Sequence, residues 1–405
     1  MGQGSGLIRT KSGPATPALF ACCLSPLGRE PLMPGEALSR PDLPARPKLT
    51  EPTGKKAELY RNLPSGRVQC TACARLCQIG EGQVGFCGVR GVVGGSLYLL
   101  VYGRVMTGHI DPIEKKPVVH YKPGSKIFSI ATSGCSWSCA YCQNSDISQL
   151  RKIEGIEARP EEIVESAVAH GCEGMAYTYN QPTVFMEYAR DVGVLARSKG
   201  IFNVFVSNGY DTPETVSMMK EFLDCVTVDF KASGETGFAR KYISVPNADP
   251  IFQSLLEIRD RTKVHIEITD LIVPKVGESL EAAERLCRWV YDNLGPDTPI
   301  HFLRFHPDYK MMDLPATPIG VLERHHRIGK KAGLRYVYLG NVPGHPAEST
   351  YCPGCGKVLV KRFGYQVLEY NLDDMNRCGA CGTGTPIVGP LSRSYREDRF
   401  ASVIS

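Results

Sequence analysis

From Lys126 onward, short runs of β-branched and aromatic residues alternate with longer amphipathic stretches. The runs are KIFSIAT (126–132), GMAYTY (174–179), FNVFVSN (202–208), CVTVDFK (225–231), VHIEITDLIV (264–273), IHFLRFHP (300–307) and RYVYLGN (335–341). Such runs suit a pleated, buried surface and predict strands. Between them, Pro160–His170, Thr183–Lys199, Pro213–Phe222, Pro250–Arg261, Ser279–Asn293 and Pro318–Ala332 have the composition of helices. Several of these open with Thr, Ser or Pro just ahead of acidic residues, as helix starts do. The alternation predicts parallel strands joined by helical crossovers. Asn180, Asn208, Asp229, Lys231, Glu267 and His306 fall at or near the predicted C-terminal ends of strands. In a βα barrel that end builds the site, so a partial (βα)6-type barrel is favoured over a doubly wound sheet.

The pattern changes on both sides. Residues 1–56 hold nine prolines and little periodicity, which predicts a disordered tail. Residues 57–125 form a cysteine-rich segment that ends in the strand-like GSLYLLVYGRV (95–105). The barrel is expected over 126–341. A C-terminal four-cysteine metal module follows over 342–389, in which CPGCGK and CGACGT bracket VLVKRFGYQVLEYNL, and 390–405 is a tail.

A chain of 405 residues can bury a large core without covalent staples, so its sixteen cysteines are not needed for stability. The net charge of +5 lies mostly in residues 1–56, which hold eight Lys/Arg and four Asp/Glu. The body is close to neutral, which argues against nucleic acid as a partner. No apolar run is long enough to span a bilayer. No convincing secretory signal is present, so a cytoplasmic, reducing setting is expected. There, paired Cys-x2-Cys motifs predict metal ligands and not disulfides.

Cys135, Cys139 and Cys142 stand in a Cys-x3-Cys-x2-Cys loop just after the first predicted barrel strand. Three thiolates are too few to close a four-coordinate zinc site. They suit a [4Fe–4S] cluster with one iron left open to an outside ligand. This loop, with Tyr141 before its last cysteine, resembles the signature of the radical S-adenosylmethionine (SAM) superfamily. The segments DPIEKKPVVHYKPGSK, GCSWSCAYCQN, HIEITDLIVP, HFLRFHPDYKMMDLPATP and VYLGNVPG together resemble the AmmeMemoRadiSam-system radical SAM enzyme, a family allied to the pyruvate formate-lyase-activating enzymes. The resemblance covers about Glu58 to Gly389.

The resemblance implies that SAM chelates the open iron and is reductively cleaved to a 5′-deoxyadenosyl radical that abstracts a hydrogen atom. It implies that Tyr141 lies against the adenine, that Asp229 and Lys231 of VDFK hold SAM, and that His306 of RFHP lies near the ribose or adenine. TYNQPT, with Asn180 and Gln181, takes the place of the motif whose backbone holds the methionine amino group; the related family usually has Glu where this chain has Gln181. Asn208 of VSNG is a weaker cofactor-binding candidate. A flavodoxin or ferredoxin is the implied reductant, and a glycine in a partner protein is one implied substrate. The plain alternative for Asp229 and Lys231 is an ion pair at a strand end.

Cys352-x2-Cys355-x22-Cys378-x2-Cys381 carries two knuckles, each followed by glycine, and reads as a structural zinc ribbon or an auxiliary cluster. Cys70-x2-Cys73-x3-Cys77-x9-Cys87 offers four more thiolates, in a spacing that fits zinc or an auxiliary [4Fe–4S] cluster equally. The whole reads as a radical SAM enzyme, the alternative being an iron–sulfur or zinc scaffold for electron transfer or interaction without radical chemistry.

Overall fold

The structure is a computed structural model that describes residues 48–394 and 401–404. The tail expected over 1–56 falls mostly outside the described residues. Its last part is placed: Lys55–Lys56 pair with Ser96–Leu99, and Lys55 meets Asp191 at 2.5 Å.

One large sheet organises the chain. Its strands are β1 (Thr107–Pro112), β2 (Lys126–Ala131), β3 (Gly174–Tyr177), β4 (Phe202–Ser207), β5 (Cys225–Lys231), β6 (His265–Ile272), β7 (Ile300–Arg304), β8 (Val337–Gly340) and β9 (Ala401–Ile404). The order is β8-β7-β6-β5-β4-β3-β2-β1-β9, so β2 to β8 follow the chain. These seven run parallel, while β1 is antiparallel to β2 and β9 antiparallel to β1. All seven predicted barrel strands are present. Among the described residues no pairing joins β8 back to β1 or β2, so the barrel stays open. The end of the chain, expected as a tail, supplies the edge strand β9.

Helices α1 (Pro160–Ala169), α2 (Met186–Ser198), α3 (Pro213–Met219), α4 (Asp249–Arg261), α5 (Leu280–Leu294) and α6 (Ile319–Lys331) make the six crossovers. Successive helices pack side by side. Their starts follow the sequence: the Ser279 hydroxyl accepts from the Ala282 amide at 3.2 Å, and Thr212 accepts from the Thr215 amide at 3.2 Å. The strands are buried on both faces, as parallel strands under crossovers must be. Cys172, Cys225 and Cys287 are core residues.

Glu267 departs from expectation. It lies third in β6, near the strand's N-terminal end, away from the site-building end. Its buried carboxylate accepts from the amides of Val119 (3.0 Å) and His120 (2.8 Å) and pairs with His301 (2.8 Å). Burial opposes the charge, and His265 and His301 overcome it, holding the carboxyl well below its usual range. This is a structural plug across the lower end of the sheet.

Two satellites flank the sheet. The N-terminal segment holds two small antiparallel sheets and docks through Arg90, whose guanidinium pairs with Glu187 of α2; both side chains are almost fully buried. The C-terminal module is a three-stranded sheet of Thr350–Tyr351, Val358–Phe363 and Gln366–Tyr370. Its Arg362 donates to the Val119 carbonyl at 2.9 Å, and its Thr350 hydroxyl meets that of Tyr338 in β8 at 2.9 Å, which ties it to the large sheet.

Candidate active site at the strand C-termini

The loop after β2 carries Cys135, Cys139 and Cys142, and its shape is held from several sides. Gly134 has φ +85°, a conformation costly for any residue with a Cβ. The Ser138 amide donates to the Ile243 carbonyl (3.0 Å), the Ala140 amide to Tyr242 (2.8 Å), and the Lys310 amide to Ala140 (2.9 Å). The backbone between the three thiols is thereby pinned to the segments that follow β5 and β7.

The neighbouring strand ends bring their polar residues to this loop. Asn180, after β3, donates from Nδ2 to the Gly134 carbonyl at 2.6 Å. Its Oδ1 is buried with no hydrogen-bond partner among the described residues. Asn208, after β4, donates to the Ser136 hydroxyl at 3.1 Å. On β5, Lys231 meets Asp229 at 3.1 Å, and Asp229 also accepts from Thr269 of β6. Burial pushes the Cys139 and Cys142 thiols up, and the Lys231 ammonium pulls both back down. Tyr141 is buried between Phe238 and Phe305, with ring centroids at 5.8 and 6.4 Å, and its hydroxyl lies against Cys139. Cys139, Cys142, Tyr141, Asp229 and Lys231 therefore share one neighbourhood. His306 stands apart: it is exposed after β7 and bonded to the Pro307 carbonyl at 2.9 Å.

The donor set fits an iron–sulfur cluster. Burial makes thiolates costly unless metal charge compensates them, and three thiols in one pinned loop leave a coordination position open. The orphaned Asn180 Oδ1 is an acceptor awaiting a donor.

Gln181 commits its whole side chain to local contacts, whereas its motif implies a role for the backbone. Its Nε2 lies 2.9 Å from Thr183 Oγ1, 2.9 Å from Ser207 Oγ and 3.0 Å from Asp211 Oδ1, while its Oε1 accepts from the Asn208 amide at 2.7 Å. The side chain is consumed in tying the end of β3 to the end of β4. Asp211 was not legible as a site neighbour, because NGYDTP reads as an ordinary helix start. Burial raises its carboxyl to about 6. Asp270 was also missed. It sits inside the apolar run of β6, fully buried, and accepts from the Ser233 amide (2.8 Å) and hydroxyl (2.6 Å). Burial raises it as well, against the pull of Ser233.

The C-terminal quartet has another geometry. Cys352, Cys355, Cys378 and Cys381 lie within 4.8 Å of one another, with Sγ···Sγ of 3.5 Å for Cys352–Cys381 and 3.8 Å for Cys355–Cys378. A zinc–sulfur bond of about 2.3 Å in a tetrahedron sets the sulfurs about 3.8 Å apart. The two knuckles match: Gly356 and Gly382, each four residues after the first cysteine, have φ of +74° and +75°. This is a closed site for a single metal ion, lacking the open position of the β2 loop.

A family model described as the radical SAM superfamily matches residues 129–290. That match begins in β2 and includes all three loop cysteines, Asp229 and Lys231. A Methanocaldococcus jannaschii protein, named only as uncharacterized protein MJ0808, is 40% identical over 337 residues, covering 82% of this chain and 99% of its own length. The chain belongs to the radical SAM superfamily, whose domain implies SAM and an iron–sulfur cluster. Among solved structures, it is similar to a domain of pyruvate-formate lyase-activating enzyme from Bacteroides vulgatus (14% identity, 41% of this chain and 98% of that one, TM-score 0.36). It is also similar to Streptococcus suis SuiB bound to S-adenosylmethionine (11% identity, 56% and 50%, TM-score 0.40). Likenesses this distant say nothing of activity. No helix among the described residues is long and apolar enough to cross a membrane.

Proposed function

We propose that the chain is a radical enzyme of the AmmeMemoRadiSam kind. A [4Fe–4S] cluster on Cys135, Cys139 and Cys142, given one electron by a flavodoxin or ferredoxin, supplies reductive cleavage of SAM to methionine and a 5′-deoxyadenosyl radical that abstracts a substrate hydrogen atom. The observation that carries this reading is the convergence of Asn180, Asp229, Lys231 and Tyr141 on the three-thiol loop.

The chain's own residues take distinct parts. Asn180 Oδ1 accepts from the methionine amino group. Lys231 meets the methionine carboxylate, and Asp229 keeps the lysine charged and in place. Tyr141, wedged between two aromatic rings, walls the adenine side and keeps water off the cluster. His306 stands exposed after β7, and only the resemblance assigns it to the ribose or adenine side. Gln181 serves as a brace, so its replacement of Glu leaves SAM binding intact. The resemblance to the activating enzymes makes a glycine Cα–H of a partner protein one candidate hydrogen donor; a small molecule or a peptide side chain fits the motifs equally well.

The test is 5′-deoxyadenosine formation by anaerobically reconstituted, dithionite-reduced protein. Wild type should form it, and Asn180→Ala and Lys231→Met should form much less at equal iron content. Unchanged rates in both variants would remove these residues from SAM binding.

A further inference from the structure

We propose that Cys70, Cys73, Cys77 and Cys87 hold a second iron–sulfur cluster, ligated by all four thiolates and set directly against the β2 loop, through which the electron reaches that loop. Its role as a relay rests on the reading of the loop given above. Its existence does not.

The four thiols line one cavity with Ala72, Ile79, Gly85, Val184, Arg75, Arg90 and Ser136. None is in a disulfide, and the walls between them are largely apolar. Their spacing separates them from the C-terminal quartet. Among the described residues, that quartet is the only group of three or more potential ligands closer than 4.8 Å. The N-terminal thiols line one cavity, yet no three of their sulfurs lie within 4.8 Å of one another. One zinc ion needs sulfurs about 3.8 Å apart, whereas a cubane of four irons holds its thiolates at separate corners. The same chain thus places one quartet at the spacing of a single ion and the other more widely than one tetrahedral ion requires.

The charge balance agrees. A four-thiolate [4Fe–4S] centre is a net anion, and two guanidiniums line the cavity. Arg90 is anchored by Glu187 and by the Val184 carbonyl at 2.9 Å. Arg75 stacks 3.6 Å above the Phe86 ring and donates to the carbonyls of Ser136 and Ser244.

The two thiol sites touch at two points. Ser136, which follows Cys135, lines the cavity, and its carbonyl is held by Arg75. Gly134, which precedes Cys135, packs on the backbone of Cys87 so closely that a Cβ there would lie 2.5 Å from the Cys87 carbonyl oxygen. Ser136 and the contact of Gly134 with Cys87 are what would stand between a cluster here and one on the loop. Each transfer moves one electron: a ferric iron of the N-terminal cluster is reduced by a low-potential carrier of the flavodoxin or ferredoxin class, then reoxidised as the loop cluster is reduced. No bond forms or breaks.

The test compares the full-length chain with Cys135→Ala/Cys139→Ala/Cys142→Ala and with Cys73→Ser/Cys77→Ser. All three are reconstituted anaerobically with ferrous iron and sulfide, with folding checked by circular dichroism. Iron, zinc, acid-labile sulfide and Mössbauer spectra are measured. The loop triple variant is expected to keep about four irons and four sulfides per chain, and wild type about eight of each. The Cys73/Cys77 variant is expected to keep the loop cluster and dithionite-driven 5′-deoxyadenosine formation, but to lose formation driven by reduced flavodoxin. Zinc without iron at the N-terminal site in the triple variant and about four irons in wild type would overturn the site. Equal flavodoxin-driven rates in wild type and the Cys73/Cys77 variant would overturn the relay. A wild type with about four irons, all lost in the Cys73/Cys77 variant, would leave the N-terminal cluster standing and sink the loop reading instead.

Discussion

The C-terminal module and the β2 loop use the same side chain to opposite ends. In the module, two knuckles of near-identical backbone bring four sulfurs to tetrahedral spacing. In the loop, three sulfurs stand at the C-terminal end of a parallel strand, among residues contributed by β3, β4 and β5. The module offers four thiolates at the spacing of a single metal ion. The loop withholds a ligand and surrounds the gap with an orphaned acceptor and a cation. Ligand count alone suggests this contrast; placement on the sheet makes it a statement about function.

The contrast breaks most sharply under cysteine substitution. Cys139→Ala should abolish 5′-deoxyadenosine formation. Cys378→Ala should leave it measurable while lowering thermal stability and releasing one metal ion, because a structural zinc site contributes on the order of 10 kcal/mol to folding of its module. Loss of activity in both variants at equal stability would merge the two sites.

Lys231→Met comes next. Both partners are mostly buried, with Lys231 15% and Asp229 23% exposed, so removing the lysine strands a carboxylate beside the loop. Losing the charge-assisted contact to the SAM carboxylate costs roughly 1.5–3 kcal/mol, which corresponds to a fall of about ten- to a hundredfold in SAM affinity, and Lys231→Arg should recover part of it.

Gln181→Glu sharpens the role of the brace. It would place a second carboxylate 3.0 Å from Asp211 and remove the amide donors, costing about 2 kcal/mol at neutral pH in a thermal melt. Gln181→Glu/Asp211→Asn restores one carboxylate and one amide to the pair and should regain most of that loss, which a merely additive pair of substitutions would not.

A pH effect follows from Asp211. Its carboxyl is raised from 3.8 to about 6 in the fold. The unfolded chain therefore ionises first, and the stability this group confers below pH 3.8 is lost as pH rises to about 6. The stability deficit of Asp211→Asn should shrink between pH 4.5 and 7.5 by on the order of 2 kcal/mol, and growth over that range would contradict the assignment. The smallest effect is expected in the module: Lys361 pairs with Glu369 at 2.7 Å with both side chains about half exposed, so Lys361→Met should change stability by less than about 1 kcal/mol and leave activity untouched.

Much of the fold was legible because its signals are local. The helix expected over Pro318–Ala332 is observed over Ile319–Lys331, and that over Ser279–Asn293 over Leu280–Leu294 with Ser279 as its cap. All seven parallel strands stood out as apolar runs because parallel strands are buried on both faces. The loop cysteines were legible from spacing and Asp229 and Lys231 from their position at a strand end, while Tyr141 was singled out by the family resemblance. What stayed hidden is long-range. Gln181 gave no sign that Asp211, thirty residues on, would absorb its amide. Asp270 lay inside an apolar run, and only the turn at Ser233 (φ +54°) gives it partners. Arg90 and Glu187 are 97 residues apart. Nor does any local pattern show that Gly134 would rest on Cys87.

The central claim is an iron at the β2 loop that accepts SAM. The most direct test is electron paramagnetic resonance of the reduced protein with and without SAM, in wild type, in Cys378→Ala/Cys381→Ala and in the loop triple variant. The account predicts a SAM-induced change of the cluster signal in the first two and none in the third. A signal indifferent to SAM in wild type, or a SAM response that survives loss of Cys135, Cys139 and Cys142, would contradict it.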